Sequence, residues 1–402
     1  MLLPAFLQRP SMRALLLVAL SFIGWGSWAL VSPYPPPYGG LSGRFSDHVS
    51  HMNAARLFVL CGTCVWEQPA DEFLQHYTDE ERRRLPEDLG PYMTEKSPLY
   101  VAPGGSLDKP LLLNWPVFPR PYPPGALLLS APVALVYHFT PLSFSGASRL
   151  LVLSYLLYAH LGLFLVLRWL MSGAAQPLAL GLLGGFLLYS ETVRWALEGF
   201  YDVALLAPLA LCGHFLYQRR GLAALVSYCV AAFLHYRAFF FAPLSLYALY
   251  LLLREGRREP WGVRQWVGMA AVAVLGGASL QTFGLVAPSL TLFPLTNPLR
   301  NPETHGLLHL LVGGGLAAVA LLYARAWVDL ALLGWMGMML LRLYQTQAWH
   351  ALSLLLWLAL PVWTPRSERV PLVRDVRLAF VWMMAVLVYK QTLLPARLVD
   401  FL

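Results

Sequence analysis

Apolar runs of about 16 to 23 residues recur along almost the whole chain, and each is near the roughly 20 residues that cross a bilayer as helix. The pattern predicts spans near 14–31, 126–140, 148–170, 177–192, 201–217, 221–235, 238–253, 265–286, 306–324, 327–343, 347–363 and 378–396. One long polar interval interrupts it, from 33 to 122. The chain therefore divides into 1–32, a cytoplasmic N-terminus with the first span, 33–125, an extracytoplasmic loop with short juxtamembrane helices, and 126–402, a multi-span bundle. The expected fold class is an all-α polytopic membrane protein, a bundle of about 10–12 transmembrane helices.

Arginines set the expected orientation. Arg219 and Arg220, the group Arg254, Arg257, Arg258 and Arg264, and the stretch Arg366 to Arg377 read as cytoplasmic under the positive-inside rule. Tyr201, Asp202 and His235-Tyr236-Arg237 then fall at the outer surface. Three segments between 126 and 192 cannot return the chain to the side it started from, so one of them must be re-entrant or cross only half the bilayer.

The polar interval has its own punctuation. It opens on Pro33-Tyr34-Pro35-Pro36-Pro37-Tyr38-Gly39-Gly40 and closes on Asn114-Trp115-Pro116-Val117-Phe118-Pro119-Arg120-Pro121-Tyr122-Pro123-Pro124-Gly125, too proline-rich for helix or central strand. Between them, Ser46 is an N-cap for an amphipathic helix over 46–60 that places Asp47 and His51 at i and i+4 on one face, beside His48. Thr78-Asp79-Glu80-Glu81 heads a short solvated helix.

Composition narrows the class. With 58% hydrophobic and 12% charged residues this is not a soluble protein, and the net charge of +8 belongs to loop arginines and not to a nucleic-acid surface. The four cysteines make no disulfide framework: Cys212 and Cys229 fall in predicted spans, and the Cys61-Gly62-Thr63-Cys64 pair closes a helix instead of opening one.

Ionisable residues beside apolar spans are costly and mark function. The candidate groups are Asp47, His48, His51 and Arg56; Glu198-Gly199-Phe200-Tyr201-Asp202; and His235-Tyr236-Arg237. The loop Asn297 to Gly306 adds Arg300 and His305. A structural ion pair between Asp202 and Arg237 is the plain alternative to a functional one. His138, His160 and His214 read as satisfied core imidazoles, and Asp329 and Arg342 as structural partners of neighbouring helices. No cofactor is called for; a divalent cation is compatible with Asp47, His48 and His51, although i, i+1, i+4 leaves one of the three off the shared face.

In order and spacing these elements resemble the GT-C superfamily of integral-membrane glycosyltransferases, in particular the GPI mannosyltransferase I catalytic subunit and bacterial polyprenyl-phosphate-dependent mannosyltransferases. The family's first-loop acidic residue and "DAARF…G" helix are similar to Asp47-His48-Val49-Ser50-His51-Met52-Asn53-Ala54-Ala55-Arg56-Leu57-Phe58…Gly62. Its proline-rich entry to the second span is similar to Pro121-Tyr122-Pro123-Pro124-Gly125, its "RGNxE" element to Glu198-Gly199-Phe200-Tyr201-Asp202, and its "HxKxxP" element to His235-Tyr236-Arg237-Ala238-Phe239-Phe240-Phe241-Ala242-Pro243. Here Glu198 stands in place of a cation, Asn53 in place of an acid, and His48 follows Asp47 where the family has a second carboxylate.

The resemblance, covering roughly 14–250, implies an inverting hexosyltransferase of the extracytoplasmic face, with a mannose-like sugar on a polyprenyl-phosphate donor and a glycan, lipid or protein hydroxyl as acceptor. It implies Asp47 as general base and Asp202 as the second catalytic carboxylate. His48, His51, Arg56, Glu198, Tyr201, His235, Tyr236 and Arg237 would contact donor or acceptor, with a cation on the leaving phosphate; Arg300 and His305, beyond the resemblance, face the first loop by the expected topology and would bind lipid phosphate or acceptor unless the loop is an ordinary turn. The expected site is the outer rim of a bacterial inner membrane. Other classes are an inactive scaffold of the same fold, an O-antigen ligase or polymerase-like transferase, and a lipid-linked sugar transporter or flippase.

Overall fold

A computed structural model of the chain describes residues 10–31, 54–55, 58–59, 62, 123–172, 189–190, 192–197, 201–256, 261–291, 306–342, 354, 356–358 and 360–392. These residues are nearly all helical and include no strand. The elements are α1 (Pro10–Val31), α2 (Pro124–Phe139), α3 (Phe144–Ser172), a 3-10 turn (Tyr201–Leu205) leading into α4 (Leu206–Tyr217), α5 (Gly221–Leu234), a second 3-10 turn (Tyr236–Phe241) leading into α6 (Ala242–Gly256), α7 (Val263–Thr291), α8 (Gly306–Ala324), α9 (Trp327–Arg342) and α10 (Val370–Thr392).

Four of these segments are long and apolar enough to cross a membrane: Ser11–Val31, Gly146–Leu167, Tyr236–Gly256 and Val263–Gln281. Helices of this group and the shorter apolar α8 carry large apolar side chains on their outward faces. Leu16, Leu20 and Ile23 on α1, Trp266, Val267 and Val274 on α7, and Leu311, Leu316 and Val319 on α8 are all exposed. Apolar surface this continuous is what lipid covers. The chain is thus a helical protein built for membrane association.

Several polar groups find their partners within the protein, as an apolar surround demands. Ser21 on α1 bonds His160 Nε2 at 2.9 Å and the Tyr189 hydroxyl at 2.5 Å, and Trp25 Nε1 donates to that hydroxyl at 2.9 Å. His160 Nδ1 lies 2.7 Å from the Leu156 carbonyl, so it is the satisfied core imidazole its sequence context suggested. His214 meets the Gln218 amide at 2.8 Å.

Asp329 and Arg377 deepen that theme. Arg377, which the sequence groups with the cytoplasmic arginines, is 1% exposed. Its Nε and Nη2 reach Asp329 Oδ1 at 2.6 and 2.5 Å, while Nη1 and Nη2 donate to the carbonyls of Trp357, Leu360 and Pro361. Trp357 Nε1 adds a third bond to Asp329 Oδ1 at 3.0 Å. The helix carrying Arg377 begins at Val370, well before the span predicted from 378, because the flanking Arg374 and Asp375 do not interrupt helical geometry.

The register of α1 and α3 gives a scale for depth. They run antiparallel: Arg149 Nη1 bonds the carbonyl of Leu30, and His160 bonds Ser21. Gly162, thirteen residues beyond Arg149 and so about 20 Å further along α3, packs on the start of α4; a Cβ there would lie 2.6 Å from Leu206 Cβ and 2.9 Å from Ala207 N. The 16-residue α2 turns back from α3 through Thr140–Ser143, bonds it from Ser130 to Tyr155 at 2.8 Å, and starts where Gly125 meets Phe233 at the end of α5. It thus runs beside only part of α3.

Candidate functional site

Two 3-10 turns build the site. Tyr201–Leu205 winds as a buried 3-10 turn before α4 begins. At the other side, His235 ends α5 in an extended conformation (φ −158°, ψ 136°) and its ring nitrogen Nδ1 accepts the backbone N–H of Arg237 at 2.9 Å, capping the Tyr236–Phe241 turn. The turn is pinned from α9 as well: Trp335 Nε1 donates to the Phe239 carbonyl at 2.6 Å.

These turns bring Asp202, His235 and Arg237 together. Arg237 Nη1 bonds Asp202 Oδ1, and His235 Nε2 lies 3.0 Å from the same oxygen. The three side chains are buried, at 4%, 2% and 4% exposure. The Tyr201 ring stacks on the His235 ring with centroids 4.7 Å apart, and the Tyr236 ring lies 4.4 Å away on a tilt. A carboxylate, an imidazole and a guanidinium are thus held in fixed mutual geometry, one positive and one negative charge neutralising each other in an apolar setting.

The ion pair foreseen between Asp202 and Arg237 is present, so Arg237 is engaged by protein before any ligand arrives. The cluster sits at the end of the α4–α5 hairpin opposite Arg219 and Arg220, as predicted, but α4 and α5 are only 12 and 14 residues long. Leu206, four residues after Asp202, packs on Gly162 about 20 Å along α3 from the Arg149 end. The outer ends of α1 and α3 continue well past the cluster.

Of the other site candidates, Asp47, His48, His51, Arg56, Glu198, Arg300 and His305 lie outside the described residues. Near the first group, Ala54 and Ala55 are helical and fully buried, Phe58 is half-buried and Val59 exposed. Among the described residues no group of three His, Cys, Asp or Glu side chains gathers as a cation site. Sequence reasoning did not single out Trp335 or Gly162, which position the turns. A lone tryptophan or glycine inside an apolar run carries no signal that separates contact from packing.

Comparison of the chain with protein-family models, with curated proteins and with solved structures finds no match.

Proposed function

We propose that the chain is a polytopic membrane glycosyltransferase of GT-C type, transferring a hexose from a polyprenyl-phosphate donor to an acceptor hydroxyl. One observation carries the reading: three sequence elements named for the resemblance converge. The proline-rich entry ending at Gly125 meets Phe233; the element ending in Asp202 meets the one beginning at His235. Asp202 and His235 are neighbours as the two ends of the α4–α5 hairpin; the proline-rich entry, far away in the chain, comes to the same end of that hairpin, and a shared site gives it a reason to.

Under this reading Asp47 takes the acceptor proton, and the Arg237 guanidinium, oriented by Asp202, faces the charge that grows on the departing lipid phosphate. A buried guanidinium already holding a carboxylate is preorganised and resists reorientation, which is what charge stabilisation in a transfer step requires. The test is sugar transfer in proteoliposomes from a panel of polyprenyl-phosphate sugars, wild type against Asp47→Asn. Turnover abolished by the variant supports the class and the base together. Turnover unchanged in Asp47→Asn removes that base, and none with any donor removes the transferase.

A second reading has its own support. Helices broken by 3-10 turns around charged groups, well inside the ends of their neighbours, are also how secondary transporters build substrate sites. A lipid-linked sugar flippase would move donor analogue between leaflets without cleaving it, and the same proteoliposomes report this through a fluorescent lipid-quenching assay.

A further inference from the structure

The sequence-level expectation makes His235 a contact for donor or acceptor, yet both of its ring nitrogens are turned inward. Nδ1 receives the N–H of Arg237 at 2.9 Å. A backbone amide can only donate, so Nδ1 carries no proton. The remaining nitrogen of a neutral imidazole then bears the hydrogen, and Nε2 points at Asp202 Oδ1 from 3.0 Å. The tautomer follows from the partners.

We infer that His235 is a positioning residue of fixed Nε2–H tautomer, whose ring joins the backbone at Arg237 to the carboxylate of Asp202 and so sets the register between the two charged side chains. The two ends of the ring do separate jobs. One fixes where the 3-10 turn starts, and with it the direction in which Arg237 leaves the backbone. The other holds Asp202, which in turn bonds the Arg237 guanidinium. Arg237 is thereby located from its backbone and from its tip by the same imidazole. Tyr201, stacked at 4.7 Å with 24° between planes, fixes the tilt of the ring. A doubly protonated ring cannot fit, since a second N–H would face the Arg237 amide hydrogen.

Substitutions separate the two jobs. Asn in place of His235 puts an amide oxygen near the Nδ1 position and keeps the cap, but is too short to reach Asp202. Gln carries its amide nitrogen near the Nε2 position and keeps the carboxylate contact, but not the cap. Ala keeps neither.

The first arm of the test is nitrogen spectroscopy on the full chain in bilayers with ring-¹⁵N histidine, assigning His235 as the signal missing from both His235→Asn and His235→Gln. A protonated Nε2 beside an unprotonated, hydrogen-bond-accepting Nδ1 is the expected result. A protonated Nδ1, or a doubly protonated ring at neutral pH, overturns the inference. This arm is independent of the reaction.

The second arm rests on the transferase reading. His235→Asn and His235→Gln should each remain monodisperse and lose on the order of tenfold in turnover, with His235→Ala losing more. Full wild-type turnover in either amide variant overturns the joint role. If wild type transfers from no donor, the transferase falls and the nitrogen signals alone decide the inference.

Discussion

Gly125 and Phe233 touch backbone to backbone: a Cβ on Gly125 would lie 2.5 Å from the Phe233 carbonyl oxygen. Phe233 is two residues from His235, so this contact ties the first turn of α2 to the edge of the charged cluster. Hydrogen is the one side chain that fits. Gly125→Ala must push α2 away from α5, and overpacking of this kind costs roughly 1–3 kcal/mol. Thermal unfolding in detergent should show the loss, with Gly277→Ala as the control, because nothing lies within 4 Å of a Cβ built there. Equal melting of the two variants would mean that α2 can shift freely.

The Arg377–Asp329 pair yields a sharper energetic statement. Both groups are buried, and Arg377 also donates to three carbonyls between Trp357 and Pro361. Removing one charge strands the other, at about 3–5 kcal/mol, whereas an apolar replacement of both restores much of that loss. We expect Asp329→Leu and Arg377→Met each to lower stability strongly and the double variant to be less affected than their sum, in a double-mutant cycle read by denaturant unfolding. Additive losses would show that the two side chains act independently.

How much of this was legible in the sequence depends on range. Hydropathy located α1, α3, α6, α7 and α8 to within a few residues, since long apolar runs leave little choice in a bilayer. The Asp202–Arg237 partnership was also legible, because two charges in nearly apolar surroundings need each other. The packing that sets the cluster's place along α3 was not: it needs Gly162 to admit Leu206, which periodicity does not write. Asp329 was expected to be paired with a neighbouring helix and is, but its partner, 48 residues on, had been read only as one of the cytoplasmic arginines, because counting loop charges ignores which arginine a buried carboxylate captures.

Arg219 and Arg325 share an unusual backbone. Their φ angles are 61° and 55°, in the left-handed region where glycine is at home. Arg219 sits two residues past the end of α4 and Arg325 one past the end of α8, each in a closing turn: Arg220 N–H bonds Phe215 O at 2.8 Å, and Ala326 N–H bonds Leu321 O at 2.9 Å. A left-handed arginine costs roughly 1–2 kcal/mol that glycine avoids. Arg219→Gly and Arg325→Gly should therefore raise the unfolding midpoint while lowering the positive charge of those turns. Lower midpoints would mean that the side chains themselves hold the turns.

That charge bears on orientation, which labelling can decide. Gly221 N–H bonds Glu255 Oε1 at 3.3 Å, so the Arg219–Arg220 turn and the start of the α6–α7 connection lie at one end of the molecule. Gly213 on α4 packs on Leu360 and Pro361, the carbonyls held by Arg377, which brings the α8–α9 turn towards that end too. Thr140 and Ser143, in the α2–α3 turn, lie at the other end, near the Arg149 bond to Leu30. Single cysteines at Gln218, Gly262 and Arg325 should be blocked from an impermeant maleimide in intact cells and react after permeabilisation, while cysteines at Thr140 and Ser143 react from outside. Labelling of both sets from the same side would break the topology, and with it the placing of the Asp202 cluster between two membrane faces.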